Sequence, residues 1–113
     1  MSRFTKSTAG LPQKAKTALE QLGRNIQVAR KRRGISLEVM ADRVFAAVNT
    51  VRRVEAGNPR VAIGVYASVL FVLGLTEDLS RVADPDRDAI GKAYEFNRLP
   101  KRVRAKQTPR LDF

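Results

Sequence analysis

An uncharged, apolar segment in the second half of the chain limits the possible folds more than any other feature. Val61 to Leu75 is interrupted only by small or weakly polar residues, and residues 61–74 carry no charged side chain. The segment is about five residues shorter than a helix that crosses a bilayer. It therefore predicts a buried central helix from Val61 to Leu73, ended by Gly74, against which the other helices pack.

The preceding residues have the spacing of amphipathic helices. Apolar side chains recur at intervals of four and three along one face: Ala15, Leu19, Leu22, Ile26 and Ala29. This periodicity predicts a first helix over roughly residues 13–33. Ser36 is a typical N-cap, so we expect a second helix from there to about Phe45. A third short helix follows, with Val51 and Val54 facing inward.

The residues after the central helix predict two shorter helices. Thr76 is expected to cap a fifth helix whose Leu79, Val82 and Ala83 face inward, and a sixth helix covers about residues 87–96. We find no alternation of apolar and polar residues long enough for a strand. A chain of 113 residues suits one domain with flexible ends, so the predicted fold class is all-α, a bundle of five to six helices.

The composition argues against most catalytic chemistry. The chain has no Cys and no His, which removes disulfides, thiolate metal sites, the commonest general base and the commonest metal ligand. There is no glycine-rich phosphate loop, and the acidic residues between Glu77 and Asp88 lack the glycine and terminal glutamate of a calcium loop. We therefore expect no enzyme, no catalytic residue, no bound metal and no other cofactor.

The charge distribution indicates a polyanionic partner. The chain carries 22 Lys and Arg against 11 Asp and Glu, a net charge of +11. Residues 1–60 hold 13 basic and 4 acidic side chains, whereas residues 75–96 hold 3 basic and 6 acidic ones. Such an excess repels itself unless a polyanion neutralises it. With no secretory signal or membrane span at the sequence level, the expected location is cytoplasmic and nucleoid-associated.

The segment from Ile35 to Gly57 carries the strongest functional signal. It predicts a helix, a tight connection and a second short helix that bears Arg52 and Arg53. A helix fits the major groove of B-DNA, and a preceding helix packed across it can hold its N-terminal end against base edges. This pattern favours sequence-specific DNA binding through a helix-turn-helix.

The same segment resembles a known family. Residues 36–57 read SLEVMADRVFAAVNTVRRVEAG and are similar to the helix-turn-helix of the XRE (phage repressor-like) family, with Ala41 where the two helices cross. Three positions differ from the family pattern: Leu37 replaces the usual Gln, Phe45 the turn Gly, and Ala47 the Ser cap. Over most of residues 22–104 the chain also resembles HipB-type antitoxins.

The wider resemblance rests on short runs spread along the chain: Leu22-Gly23, residues 29–34, residues 61–64, residues 73–75, residues 83–88 and residues 99–104. It implies a homodimer that binds a palindromic operator of double-stranded DNA in its own promoter. It also implies a HipA-type serine/threonine kinase toxin as protein partner, and no membrane. The expected organisation is a flexible basic N-terminus (1–12), a phage repressor-like DNA-binding domain (13–75), a C-terminal helical extension (76–98) and a flexible basic tail (99–113).

Site residues follow position by position from the resemblance. The candidates for reading bases are Val48, Asn49 and Arg52, since Asn can make two hydrogen bonds to adenine and Arg two to guanine. The candidates for binding phosphates, which position the protein without reading sequence, are Lys31, Arg32, Arg33, Arg43, Thr50 and Arg53. Tail residues expected to contact either DNA or the toxin are Lys101, Arg102, Arg104 and Lys106.

Several alternatives stay open at this stage. Arg52 and Arg53 could be surface charges paired with Glu55 or Glu38, although we expect Glu55 to pair with a basic residue of an earlier helix. Tyr66 and Phe71 are predicted to be core or dimer-interface residues. The functional alternatives are an XRE-type repressor without a toxin, or a basic RNA-binding protein, for which the chain has few aromatic residues to stack on bases.

Overall fold

The computed structural model describes residues 9–99 of the chain. Its helices are α1 (Gln13–Arg32), α2 (Leu37–Arg43), α3 (Val48–Glu55), α4 (Ile63–Leu73), α5 (Thr76–Ser80), a 3₁₀ turn (Pro85–Arg87) and α6 (Ala89–Arg98). Residues 9–99 contain no strand, so the predicted all-α class with five to six helices is confirmed for them. The tail candidates Lys101, Arg102, Arg104 and Lys106 lie outside this range, as does most of the predicted basic N-terminus.

The chain forms two compact units, the first continuing to Leu79 and the second beginning at Ser80. In the first unit α3 packs against both α1 and α2, and α4 packs against the same two helices. Each of the four helices contributes to one core, whose fully buried side chains are Ile26, Met40, Val51, Val54 and Val69. The inward positions predicted for α3 are thus confirmed, as are Leu22, Ile26 and Ala29 of α1, whereas Ala15 and Leu19 are only partly buried.

A close contact between backbones sets the position of α3 against α1. Gly23 of α1 lies under the end of α3, and a Cβ atom there would collide with the carbonyl of Glu55 and the amide of Gly57. Gly57 is in the left-handed conformation (φ 71°), and a Cβ on it would collide with the backbone of Leu19. The two glycines therefore let the backbones of α1 and the end of α3 approach more closely than any residue with a side chain would permit.

The connection between α2 and α3 is tight. The hydroxyl of Ser36 accepts a hydrogen bond from the amide of Val39 (3.1 Å), which confirms the predicted cap of α2. The helix ends at Arg43, two residues earlier than predicted, because Phe45 takes the left-handed conformation (φ 56°). Ala47 then occupies the N-cap position of α3, where its side chain can accept no hydrogen bond. The short link of residues 44–47 thus joins two helices that pack against each other.

The expectation that α4 is buried all round is wrong. Tyr66, Val69 and Leu73 are buried, and the Tyr66 hydroxyl donates a hydrogen bond to the carbonyl of Asn58 (2.8 Å). By contrast, the side chains of Ile63 and Phe71 are each 73% exposed. The helix therefore has a core face and an apolar solvent face, and the sequence does not distinguish the two because no charged residue marks the exposed side. Gly74 ends α4 as predicted, in the left-handed conformation (φ 78°).

The second unit is built around two aspartate caps. Asp84 accepts a hydrogen bond from the amide of Asp86, and Asp88 accepts one from the amide of Gly91 (2.9 Å). The cap at Asp88 makes α6 begin at Ala89, two residues later than predicted. Val82 and Ala83 were expected to face inward, but both are exposed, because α5 already ends at Ser80. Within residues 9–99 we find no helix with the length and apolarity needed to cross a bilayer.

Candidate nucleic-acid interface

The inner face of α3 is fixed to the core. Val51 and Val54 are fully buried, and Glu55 at the end of the helix forms a buried ion pair with Arg30 of α1. The Arg30 Nε–Glu55 Oε2 distance is 2.6 Å, and a second bond joins Arg30 Nη2 to Glu55 Oε1 at 3.1 Å. This two-bond geometry holds the axis of α3 in one orientation to α1.

Two further hydrogen bonds extend this ion pair. Gln27 Nε2 donates to Glu55 Oε1 (3.2 Å), and Arg30 Nη1 donates to the carbonyl of Ile35 (2.8 Å), just before α2. The network therefore joins α1, α3 and the start of α2. The hydrogen bond to Glu55 raises the pKa of Arg30 above its usual value. The predicted pairing of Glu55 with a basic residue of an earlier helix is confirmed, and the residue is Arg30.

The outer face of α3 presents polar and basic side chains to solvent. Asn49, Arg52 and Arg53 are exposed, and Arg52 Nη1 donates a hydrogen bond to Asn49 Oδ1 (3.2 Å). Neither arginine has an acidic partner in the part of the chain that the structure describes. Their pairing with Glu55 or Glu38 is therefore not observed. Val48, the third base-reading candidate, is half-buried and packs against the core.

A cleft of about 500 Å³ opens beside this face. Two of the predicted phosphate ligands, Thr50 and Arg53, line it together with Asn58 and Arg60. Ala62, the N-cap position of α4, lies at the same cleft and provides no side-chain cap, so the cleft is next to the N-terminal end of α4. Asn58 and Arg60 were not among the predicted site residues, although an Asn-Pro-Arg run directly after the Gly57 turn marks a loop next to α3.

The remaining basic candidates lie elsewhere. Lys31 and Arg32 are exposed at the end of α1, whereas Arg33 Nη1 donates to the carbonyl of Ala29 (2.8 Å) and so caps that helix. Arg43 lines a separate cleft with Phe45 and does not share the cleft that Thr50 and Arg53 line. The structure thus places Asn49 beside Arg52, and Thr50 at the same cleft as Arg53. The other basic candidates lie at neither of these two places.

Metal-binding geometry is not found in the described range, residues 9–99, which holds no group of three or more acidic, His or Cys side chains arranged for an ion. Comparisons of the chain with protein-family models, with curated proteins and with solved structures give no significant match.

Proposed function

We propose that the chain is a sequence-specific DNA-binding protein in which α2 and α3 act as a helix-turn-helix. The outer face of α3 enters the major groove, where Asn49 and Arg52 contact base edges. Arg53, with Thr50, binds the phosphate backbone beside the groove. Asn and Arg are suited to this task because each can make paired hydrogen bonds to one base, Asn to adenine and Arg to guanine.

The observation that carries the proposal is the division of α3 into two faces. Its inner face is held by Val51, Val54 and the buried pair of Glu55 with Arg30. Its outer face carries the cations Arg52 and Arg53, for which the described residues supply no acidic partner. A rigid helix with an unneutralised cationic face is complementary to a polyanionic groove, since binding releases the counterions of DNA.

The cleft beside α3 supports a phosphate contact at a defined place. Thr50 and Arg53 supply a hydroxyl and a guanidinium, and the N-terminal end of α4 supplies amide groups and the positive end of a helix dipole. Both features favour an anion. A backbone phosphate seated there would fix the register of α3 along the groove without reading sequence.

The resemblance to HipB-type antitoxins adds a physiological role to the proposal. We propose that the chain represses its own promoter and neutralises a HipA-type kinase toxin. Ile90 and Tyr94 of α6 are 68% and 64% exposed, which leaves apolar side chains available to a protein partner. Co-expression with a kinase of this type, followed by co-purification, tests the role. A stable complex supports it, and failure to form one favours an XRE-type repressor that acts alone.

Selection from a randomised duplex library tests DNA binding directly, because the library contains every short operator sequence. We expect repeated rounds with the full chain to enrich one sequence, present as two half-sites whose centres lie about 10 base pairs apart or a multiple of that spacing. Single-stranded RNA and duplex RNA, each added as a competitor, should displace the selected DNA from the protein poorly. Absence of enrichment, or equal affinity for RNA of any sequence, would refute the proposal.

A further inference from the structure

Two exposed aromatic side chains line the same cleft of the first unit. Phe45, in the link between α2 and α3, is 96% exposed, and Phe71 of α4 is 73% exposed. Arg43, Ala67 and Ser68 also line this cleft, which has a volume of about 410 Å³. Rings as exposed as these add little to the core of the unit, so core packing does not account for their position.

Phe45 is exposed at a conformational cost. Its backbone is left-handed (φ 56°), which is unfavourable for a residue with a Cβ atom, whereas a glycine would adopt this conformation without strain. Contact of the apolar ring with water is a second unfavourable term. A ligand that covers the ring would remove the second term, and this gives the exposed ring a physical reason that the fold of one chain does not supply.

The other residues of the cleft add a cation and a hydroxyl group. Arg43 is exposed, and the part of the chain that the structure describes holds no acidic partner for it. Ser68 is exposed on α4, and its hydroxyl can donate or accept a hydrogen bond. The cleft thus combines two flat apolar rings, a positive charge and a polar group. A nucleotide has the complementary parts: a flat base with polar edges and a negative phosphate.

We propose that this cleft, called the Phe45–Phe71 cleft below, binds a single strand of nucleic acid. The bases stack on the two rings, a phosphate lies near Arg43, and Ser68 can bond to a base edge. In a duplex the bases stack on one another and are not available to these rings, so the cleft selects single strands. Every base has a face that can stack on an aromatic ring, so binding tolerates many sequences.

Charge favours a nucleic-acid strand as the occupant of the Phe45–Phe71 cleft. The chain has a net charge of +11, which attracts a polyanion to every part of its surface. The residues that line the cleft include Arg43 and no acidic side chain. In a single strand each nucleotide carries both a flat ring and a negative charge, so the ring and the charge recur together along the strand. An acidic protein segment has the charge without a regular series of rings.

This site is additional to the proposed binding of duplex DNA by α3, and it uses different residues. Arg43, Phe45 and Phe71 line the Phe45–Phe71 cleft, whereas the proposed contacts to base edges come from Asn49 and Arg52. We expect single strands to bind less tightly than the selected duplex, because they lack the contacts that α3 makes in the major groove. The two sites can therefore be tested separately.

Fluorescence anisotropy of the full chain with two labelled strands tests the proposal. One strand has about 15 thymidines, and the other has the same length and the same phosphates but no bases. Because their charges are equal, the difference between their affinities measures stacking alone. We expect the thymidine strand to bind at least about 25-fold more tightly, since each of two stacked bases contributes at least about 5-fold. A uridine strand distinguishes RNA from DNA as the natural ligand, and tighter binding of either over the strand without bases supports the proposal.

Variants of the two rings assign the stacking to the cleft. Phe71→Ala should lower the affinity for the thymidine strand about 5- to 150-fold and leave that for the strand without bases unchanged. Phe45→Gly should have an effect of similar size, and because it removes the left-handed strain, the chain should remain folded. Tyr94→Ala removes a ring that is 64% exposed in the second unit and should change neither affinity.

Three results would overturn the proposal. The first is equal affinity of the wild-type chain for the strands with and without bases. The second is a loss of affinity in Tyr94→Ala as large as that in Phe71→Ala. The third is a change in the sedimentation of the free chain by Phe71→Ala without any effect on strand binding, which would show that the cleft pairs two copies of the chain. Phe71→Ala should leave binding of the selected duplex as in the wild type, so this proposal and that of duplex binding can fail independently.

Discussion

Single residues fix the helices of the first unit, and the pair of Arg30 and Glu55 is the clearest case. Both side chains are buried, and their two short hydrogen bonds join α1 to the end of α3. Gln27 donates a hydrogen bond to the second oxygen of Glu55, and the carbonyl of Ile35 accepts another from the Arg30 guanidinium. A charge at this depth is tolerated because its partner and its hydrogen bonds are all in place.

Removing one partner leaves the other charge buried and unpaired. We expect Glu55→Ala to lower the free energy of unfolding by about 3–5 kcal/mol, the usual cost of breaking a buried ion pair. Glu20→Ala, at an exposed position of α1, should change it by less than about 0.5 kcal/mol. Urea denaturation followed by circular dichroism measures both values. Equal small effects of the two substitutions would show that the pair does not hold α3.

Tyr66 is expected to make the free energy of unfolding depend on pH in the alkaline range. Burial raises the pKa of its hydroxyl, which donates a hydrogen bond to the Asn58 carbonyl. The folded chain therefore keeps this proton where the unfolded chain, with a tyrosine pKa of about 10, begins to release it. The free energy of unfolding should thus decline as the pH rises above about 10.

Tyr66→Phe should flatten this decline, at a loss of about 1 kcal/mol at neutral pH for the missing hydrogen bond. Tyr94→Phe removes an exposed hydroxyl and should leave the alkaline decline as in the wild type. Denaturant unfolding from pH 8 to 11 compares the three proteins. A decline that persists unchanged in Tyr66→Phe would show that another group causes it.

At the scale of elements, the proposed function assigns the reading of bases and the binding of phosphates to different residues of α3. We expect Arg52→Ala to reduce the discrimination between selected and random DNA by about 1–3 kcal/mol, because it removes contacts to one base. Arg53→Ala should weaken binding to both DNAs by a similar factor. Competition titrations at one salt concentration measure the two ratios. The same change in discrimination for both variants would contradict this division.

The helix limits could be predicted from the sequence only where a residue has a strong local conformational preference. Ser36 and Gly74 mark helix ends through their own backbone preferences, so the limits of α2 and α4 at those residues were predictable. The early end of α2 was not, because a left-handed Phe45 contradicts local propensity and depends on tertiary structure. Val82 has the spacing of an inward residue, but α5 ends before it.

The candidate site was predictable in part for the same reason. The exposed side of α3, with Asn49, Arg52 and Arg53, follows from helical periodicity once Val51 and Val54 are placed inward. The sequence places Asn58 and Arg60 in a loop next to α3, but it does not show that the fold of this loop brings them to the cleft. Burial of Arg30 within a basic run was likewise invisible, because its partner lies 25 residues further along the chain.

For the whole molecule, the net charge of +11 should govern affinity for any duplex. Five of the predicted phosphate contacts are cationic, and each releases counterions when it binds. We expect the logarithm of the affinity to fall with the logarithm of the salt concentration, with a slope of roughly −4 to −5 per bound chain. Arg53→Ala should reduce the magnitude of this slope by about 1. Affinity that is independent of salt would contradict the electrostatic part of the account.

The central claim is that the outer face of α3 enters the major groove of DNA. An amide NMR titration of the isotope-labelled chain with its selected duplex tests this claim residue by residue. We predict the largest shifts at Asn49, Arg52 and Arg53, with smaller shifts at Asn58 and Arg60 of the adjoining cleft. Largest shifts on α6, with the amides of residues 48–53 unchanged, would contradict it.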